Sequence, residues 1–241
     1  MSNRAAIVTG ASRGIGRAIA EALGEDGYDL TIVARKPESL EQAAAELRGR
    51  GFNVEAVAAN LAHADAVAEV VEAHRSRFGR LDVLVNNAGV GVGAGAGEHE
   101  PKLIDMQLSV NLVAPVLFYR HALGLLRAAA AEHGSAVVVN MSSISAVMSP
   151  PWLSVYGASK AAVIAYTRSM NKELAPEGIK SVALAPGFVD TDMADFIKDE
   201  IPAAEMLPVS DVVEAVRFVL ALSPNCVVPE IVLGRRNETG L

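Results

Sequence analysis

Tyr156 and Lys160 stand four residues apart in a stretch with helical spacing, residues 155–174, which places both side chains on one helix face a turn apart. A phenol with its ordinary pKa of about 10 is a poor base at neutral pH, but a neighbouring ammonium favours phenolate and moves the titration toward the working range. Tyr156 can then serve as acid or base. By itself such a pair is ordinary helix surface, so its weight depends on what else the chain carries. The run Thr9-Gly10-Ala11-Ser12-Arg13-Gly14-Ile15-Gly16 follows an apolar segment and leads into Arg17-Ala18-Ile19-Ala20, a good helix start. Glycines in that position permit a tight turn and close backbone approach, while free N–H groups and the positive end of the helix dipole favour a pyrophosphate. The plain alternative is a glycine-rich turn with no ligand.

These residues need a scaffold, and the hydrophobic pattern supplies one. Short apolar runs rich in β-formers recur at 5–9, 30–34, 54–59, 81–86, 136–140, 181–185 and 230–233. Most read as strands buried on both faces. Between them lie helix-length segments, among them 40–48, 65–78, 112–126, 155–174 and 211–222. Alternating strands and helices call for right-handed crossovers, hence a doubly wound (Rossmann) α/β fold with a seven-stranded, mostly parallel sheet covered on both faces. No linker interrupts the pattern, so residues 1–241 are expected to form a single domain. The glycine-alternating run 89–97 follows the fourth strand and reads as a flexible loop at the rim of the site.

Composition limits the function classes. The formal charge is −7, against a general nucleic-acid-binding surface, and half of the 241 residues are hydrophobic, as in a globular protein. No run of about eighteen uninterrupted apolar residues occurs, and the start Met1-Ser2-Asn3-Arg4 carries no secretory signal core, so a cytoplasmic enzyme away from membranes is expected. The single cysteine, Cys226, reads as a small apolar residue, and nothing suggests a metal site.

The glycine run, Asn86-Asn87-Ala88-Gly89, Asn111, Ser143, Tyr156-Gly157-Ala158-Ser159-Lys160 and Pro186-Gly187 follow one another at intervals that resemble the short-chain dehydrogenase/reductase family. The likeness covers most of the chain and extends to 3-oxoacyl-carrier-protein reductase-like and carbonyl reductase-like members. It implies a nicotinamide cofactor contacted by Gly10, Ser12, Arg13, Gly14, Ile15 and Gly16, by Asn60 and Leu61, and by Asn87, Ala88 and Gly89. Pro186, Gly187, Val189 and Thr191 complete that set with Tyr156 and Lys160. Family members commonly carry Asp where Asn60 stands, which touches adenine recognition. The resemblance also implies that Ser143, rather than Ser142 or Ser145, bonds the developing oxyanion, that Lys160 holds the nicotinamide ribose, and that Asn111 serves a water-mediated proton relay. On the residues alone, Asn111 is an amide inside an apolar helical stretch that requires partners.

At the end of the second strand a carboxylate would grip a ribose 2′-hydroxyl and repel a 2′-phosphate. Here the strand ends Val33-Ala34-Arg35-Lys36, with no acid, so Arg35 and Arg13 are expected to clamp the phosphate of NADP(H). The segment 192–208 is expected to cover a small-molecule carbonyl or alcohol substrate, with Met193, Phe196, Ile197, Met206, Met148 and Trp152 lining an apolar pocket. The terminal Cys226-Val227-Val228-Pro229-Glu230-Ile231-Val232-Leu233-Gly234-Arg235-Arg236-Asn237 departs from the glycine-rich ending of the 3-oxoacyl reductases, leaving the substrate and the C-terminal subunit contacts open. Long apolar faces on 112–126 and 155–174 suit a homodimer or homotetramer. Two other readings stand beside the NADP(H)-dependent oxidoreductase: an NAD-linked alcohol dehydrogenase and a non-catalytic dinucleotide sensor.

Overall fold

A computed structural model describes residues 4–237, so Met1 to Asn3 lie outside the described residues. Seven parallel strands form one sheet: β1 (Ala5–Thr9), β2 (Asp29–Ala34), β3 (Val54–Ala58), β4 (Val83–Asn86), β5 (Ala136–Met141), β6 (Ile179–Pro186) and β7 (Glu230–Leu233). Their order is β3-β2-β1-β4-β5-β6-β7, with every pairing parallel. The chain reverses its direction of travel between β1 and β4, where an open sheet of this kind leaves a crevice at the carboxyl ends of its strands. Helices α1 (Gly14–Glu25), α2 (Pro37–Gly49), α3 (Ala64–Phe78), α4 (Pro101–Leu108), α5 (Ala114–His133), α6 (Ser145–Met148), α7 (Ser154–Leu174) and α8 (Val209–Ala221) make the crossovers. Pro37 and Pro101 open α2 and α4, where a missing N–H costs nothing because the first turn has no acceptor for it.

Two apolar layers form because the central strands are buried on both sides. Val8, Ile19, Leu23, Ile32, Leu40 and Val216 lie in one layer, and Ile7, Val70, Leu84, Phe118, Leu126 and Val138 in the other. The continuous helical run Pro101–His133 is long and apolar enough to cross a membrane by length and hydropathy alone. Its residues Phe118, Tyr119, Ala122, Leu126 and Ala129 instead pack into the second layer, so its apolar character is that of a core helix.

Strand and helix bounds depart from the sequence reading where side chains redirect the backbone. β4 starts at Val83 rather than residue 81, because Asp82 turns its carboxylate to Ala5 N–H (2.8 Å) and to the fork of Arg80 at 2.8 and 2.7 Å. β6 runs longer than 181–185 at both ends, and α5 reaches His133 rather than 126. α4 and α6 were not legible as helices. Between α4 and α5 the residues Ser109–Val113 form a π-helical turn, a widened loop of backbone that periodicity cannot reveal.

Below the sheet, His74 is fully buried between Thr31 Oγ1 (2.7 Å from Nδ1) and the Arg80 carbonyl (2.7 Å from Nε2). A carbonyl can only accept, so Nε2 carries the proton and the ring is held neutral. Burial pushes its pKa down to about 4. The unfolded chain therefore binds the extra proton first, and stability is lost as pH falls from the ordinary value of 6.5 through about 4. The loss is on the order of 3 kcal/mol at 1.36 kcal/mol per pKa unit. His74→Gln, which offers a neutral donor and acceptor, should flatten the pH dependence of the urea midpoint across that window relative to the wild type. An unchanged slope would remove His74 from the acid response.

Candidate active site

The glycine turn is assembled by contacts across the crevice. Thr9, at the end of β1, accepts the backbone N–H groups of Asn87 and Ala88 at 2.9 Å each through its hydroxyl. Asn87 answers by donating Nδ2 to the Thr9 and Gly10 carbonyls at 2.8 and 3.3 Å. Gly10 has φ 67°, and a Cβ there would lie 2.8 Å from Asn87 Nδ2. A Cβ on Gly16 would run into Asn87 Nδ2 and the Gly10 carbonyl, so α1 can approach the turn this closely only with glycine at that position. Arg13 precedes α1 in an extended conformation, and no side chain caps the first N–H groups. Thr191 reaches this end from the β6 side, its methyl carbon 3.4 Å from a Cβ placed on Gly14. The result is a backbone cradle beside β1, open to an anion.

Ser143, Tyr156 and Lys160 come together at the carboxyl end of β5. α7 lies close against the α6 turn because residue 157 is glycine; a Cβ there would be 2.8 Å from the Ser145 carbonyl. That approach brings the Tyr156 phenol beside the Ser143 hydroxyl, near enough for the hydroxyl to oppose the effect of burial on the phenol. Lys160 is buried and donates from Nζ to the Met141 carbonyl at 2.7 Å, with Nζ 5.8 Å from the Tyr156 ring centroid. Ser142 donates to the Lys160 carbonyl (2.9 Å), a bracing role, and the Ser145 N–H donates to the Ser143 hydroxyl at 3.1 Å.

The electrostatics correct the expectation from sequence. Burial pushes the Tyr156 pKa above its ordinary 10, the Ser143 hydroxyl working the other way without overcoming it. Burial also pulls Lys160 down to about 8. The ammonium is directed at a backbone carbonyl rather than at the phenolic oxygen, so in the protein alone desolvation outweighs ion stabilisation. Tyr156 stands neutral and proton-bearing at neutral pH.

Asn111 finds the partners its burial requires. It sits in the π-helical turn and pairs with Val90 as a strand would, its Oδ1 accepting Val90 N–H and its Nδ2 donating to Val90 O, both at 2.9 Å. Its Nδ2 also donates to Ser159 Oγ at 3.0 Å, and Ser159 Oγ donates to Tyr156 O at 2.7 Å. Buried Gln107 accepts Val92 N–H at 3.0 Å, and Glu98 accepts Gly95 N–H at 3.1 Å. The run 89–97, expected as a loose rim, is thus pinned by side-chain amides and a carboxylate. Gly89 passes directly over Lys160, where a Cβ would be 3.2 Å from Nζ. Thr9 and Ser159 were expected only as members of their motifs and Gln107 not at all, so the bonds by which the three hold the site are new.

Arg35 is exposed at the carboxyl end of β2. Arg13 instead pairs with Asp192 at 2.8 Å, both side chains largely in solvent. Asn60 is exposed beyond β3, with Oδ1 accepting Ala62 N–H at 3.3 Å. The Leu61 side chain is buried in the second apolar layer, leaving its backbone for any contact. Gly187 N–H bonds Leu233 O at 2.7 Å, and Pro186 O accepts Ile144 N–H at 2.9 Å. Val189 is buried and bridges to Leu207. Met206, expected in a pocket wall, belongs to the interior, whereas Trp152, Met193 and Phe196 are exposed near the site and Met148 and Ile197 are half-buried.

The sequence pattern of the short chain dehydrogenase family matches residues 4–202, and the chain belongs to that family. It is an oxidoreductase by family, on a doubly wound parallel fold. Among its curated relatives is the 3-oxoacyl-[acyl-carrier-protein] reductase FabG of Staphylococcus aureus, 35% identical over 224 residues that cover 89% of each chain. A crystal structure of 3-ketoacyl-(acyl-carrier-protein) reductase from Brucella melitensis, complexed with NADH, superposes with a TM-score of 0.87 at 31% identity, covering 97% of this chain and 96% of that one. A metagenomic short-chain oxidoreductase in complex with NADP gives 0.83 at 30% identity, covering 98% of both.

Proposed function

We propose that the chain is an NADP(H)-dependent oxidoreductase that interconverts a ketone, aldehyde or 3-oxoacyl thioester and the corresponding alcohol. The observation that carries this reading is the convergence of Ser143, Tyr156 and buried Lys160 at the strand edge beside the glycine cradle. That cradle, a helix start with no side-chain cap and no room for a Cβ at residue 16, fits a dinucleotide pyrophosphate. Bound NADPH would supply the hydride. Ser143 and Tyr156 would hold the carbonyl oxygen by hydrogen bonds that strengthen as charge develops there. The phenolic proton would pass to that oxygen, and the same groups would reverse the transfer in alcohol oxidation. A neutral, high-pKa phenol is poised to donate, which favours reduction as the working direction. Lys160 would steady the departing charge and bond the ribose, while Asn111, through Ser159 and the α7 backbone, would fix where the phenol stands. Oxidation of NADPH across a panel of ketones, aldehydes, quinones and 3-oxoacyl thioesters tests the assignment.

The cofactor preference rests on Arg35 and on the missing acid at the end of β2. One observation favours the NAD(H) reading: Arg13, the second candidate clamp, is already paired with Asp192. Arg35→Glu decides between them. If Arg35 grips the 2′-phosphate, the variant should lose about 2 kcal/mol of NADPH recognition, roughly thirtyfold in kcat/KM, and keep or gain activity with NADH. Equal effects on both cofactors would return the assignment to NAD(H). The partly exposed apolar residues Leu108 and Val113, beside the helical faces expected to pair, suit a homodimer or homotetramer of a cytoplasmic enzyme.

A further inference from the structure

Beside the reacting cluster, three aromatic rings from three separate segments stand in a row. Trp152, in the turn before α7, meets Phe196 edge to face with centroids 5.8 Å apart and planes at 85°. Phe196, in the short helical segment Asp192–Ile197, meets Phe188 of the β6 exit at 6.2 Å and 68°. The Arg235 guanidinium lies over the Phe188 ring at 5.8 Å, covering that end of the row. The other two rings are left in solvent, Trp152 at 45% and Phe196 at 61% exposure. Contiguous exposed aromatic surface of this kind marks a binding surface more often than it decorates a monomer.

Backbone strain marks the same place. Trp152 has φ 57°, a conformation bulky L side chains rarely adopt. It is retained by its neighbours: Ala94 N–H bonds the Trp152 carbonyl at 2.8 Å, and Gly93 lies so close over the indole that a Cβ there would enter the ring. Gly91 lies in the same way against the phenol, where a Cβ would be 3.3 Å from the Tyr156 ring. The segment between the phenol and the indole therefore offers glycine backbone at each close approach. Gly91 at the phenol and Gly93 at the indole thus lie on one short segment, and the indole in turn meets Phe196.

We propose that Trp152 and Phe196 are the substrate-docking surface and that they select carbonyl compounds conjugated to a planar aromatic ring over those on a saturated chain. The proposal rests on the carbonyl-reductase reading above and names its substrate class. An aryl ring laid along these rings gains offset or edge-to-face attraction beyond the area it buries, whereas an alkyl chain gains the area alone. The strained backbone at Trp152 is held in advance of binding, so ordering the indole is not charged to the ligand.

Trp152 is the only tryptophan in the chain, so its fluorescence reports on this surface independently of turnover. Titrating the protein with acetophenone in the presence of NADP⁺ should quench that fluorescence saturably, and 2-octanone should not reproduce the effect. In Phe196→Leu the ratio of kcat/KM for acetophenone to that for 2-octanone should fall about fivefold, the size expected for one lost aromatic pair. A fluorescence signal indifferent to acetophenone, or a ratio that stays constant in the variant, would overturn the proposal. Should no carbonyl be reduced at all, the functional reading fails, and quenching by acetophenone still decides whether the surface binds aryl carbonyls.

Discussion

Tyr156→Phe should lower turnover by 10²–10⁴-fold, the range associated with loss of a positioned general acid. In barrier terms this is about 3–5 kcal/mol. The substitution deletes one oxygen and leaves the ring to pack against Gly91 as before. Binding of NADPH, read by equilibrium dialysis, should stay within about twofold of the wild type, because the pyrophosphate cradle lies at the other side of the crevice. Loss of binding together with turnover would point to a structural role for the phenol. Undiminished turnover would eliminate it as the proton donor.

Lys160→Met should separate activity from stability. Met fills a similar volume without a charge, so the buried ammonium and its hydrogen bond to Met141 disappear together. Turnover is expected to fall by a factor on the order of 10²–10³, since no cation then remains beneath the phenol. Stability at pH 7 should rise. The wild-type lysine titrates at about 8 instead of 10.5, so below pH 8 the folded state carries a charge that the unfolded state holds more cheaply. The penalty is on the order of 3 kcal/mol, and losing the Met141 contact offsets about 1–2 kcal/mol of the gain. Raising the pH from about 8 to 10.5 relieves the wild type alone, because its unfolded state then binds the extra proton. The two urea midpoints should therefore converge in alkali. In the same wild-type protein, reductive kcat/KM should decline above about pH 8 as the ammonium is lost. A variant less stable than the wild type at pH 7, with no convergence, would mean that Lys160 is a net stabilising element.

The doubly wound sheet was legible because its strands are continuous runs of Val, Ile, Leu and Ala, buried on both faces, with helix-length spacers between them. The closeness of Tyr156 and Lys160 was legible for a local reason: four residues on one helix fix their relative placement without help from the rest of the chain. What could not be read depends on contacts distant in sequence. Thr9 holds Asn87 and Ala88 from 78 and 79 residues away, and Gln107 in α4 reaches back 15 residues to Val92. The direction of the Tyr156 shift followed the same rule. Spacing predicted an ammonium near the phenol, whereas burial and the competing Met141 carbonyl determine what that ammonium does. Arg13 shows the limit for exposed cations: expected as a phosphate clamp, it meets a competing carboxylate on Asp192 in the structure. The glycines at 91 and 93 read as flexibility in the sequence, yet in three dimensions they are the positions where two aromatic rings leave no room for a side chain.

In the proposed reduction the alcohol gains two hydrogens, one from nicotinamide and one from Tyr156. A single-turnover reaction with NADPH deuterated at the transferable C4 position, run on whichever panel carbonyl is reduced fastest, tests it most directly. The wild type should form an alcohol carrying deuterium on the former carbonyl carbon, and Tyr156→Phe should form it 10²–10⁴-fold more slowly. An alcohol without the label, or NADPH that binds tightly and is never consumed by any carbonyl, would contradict that reduction.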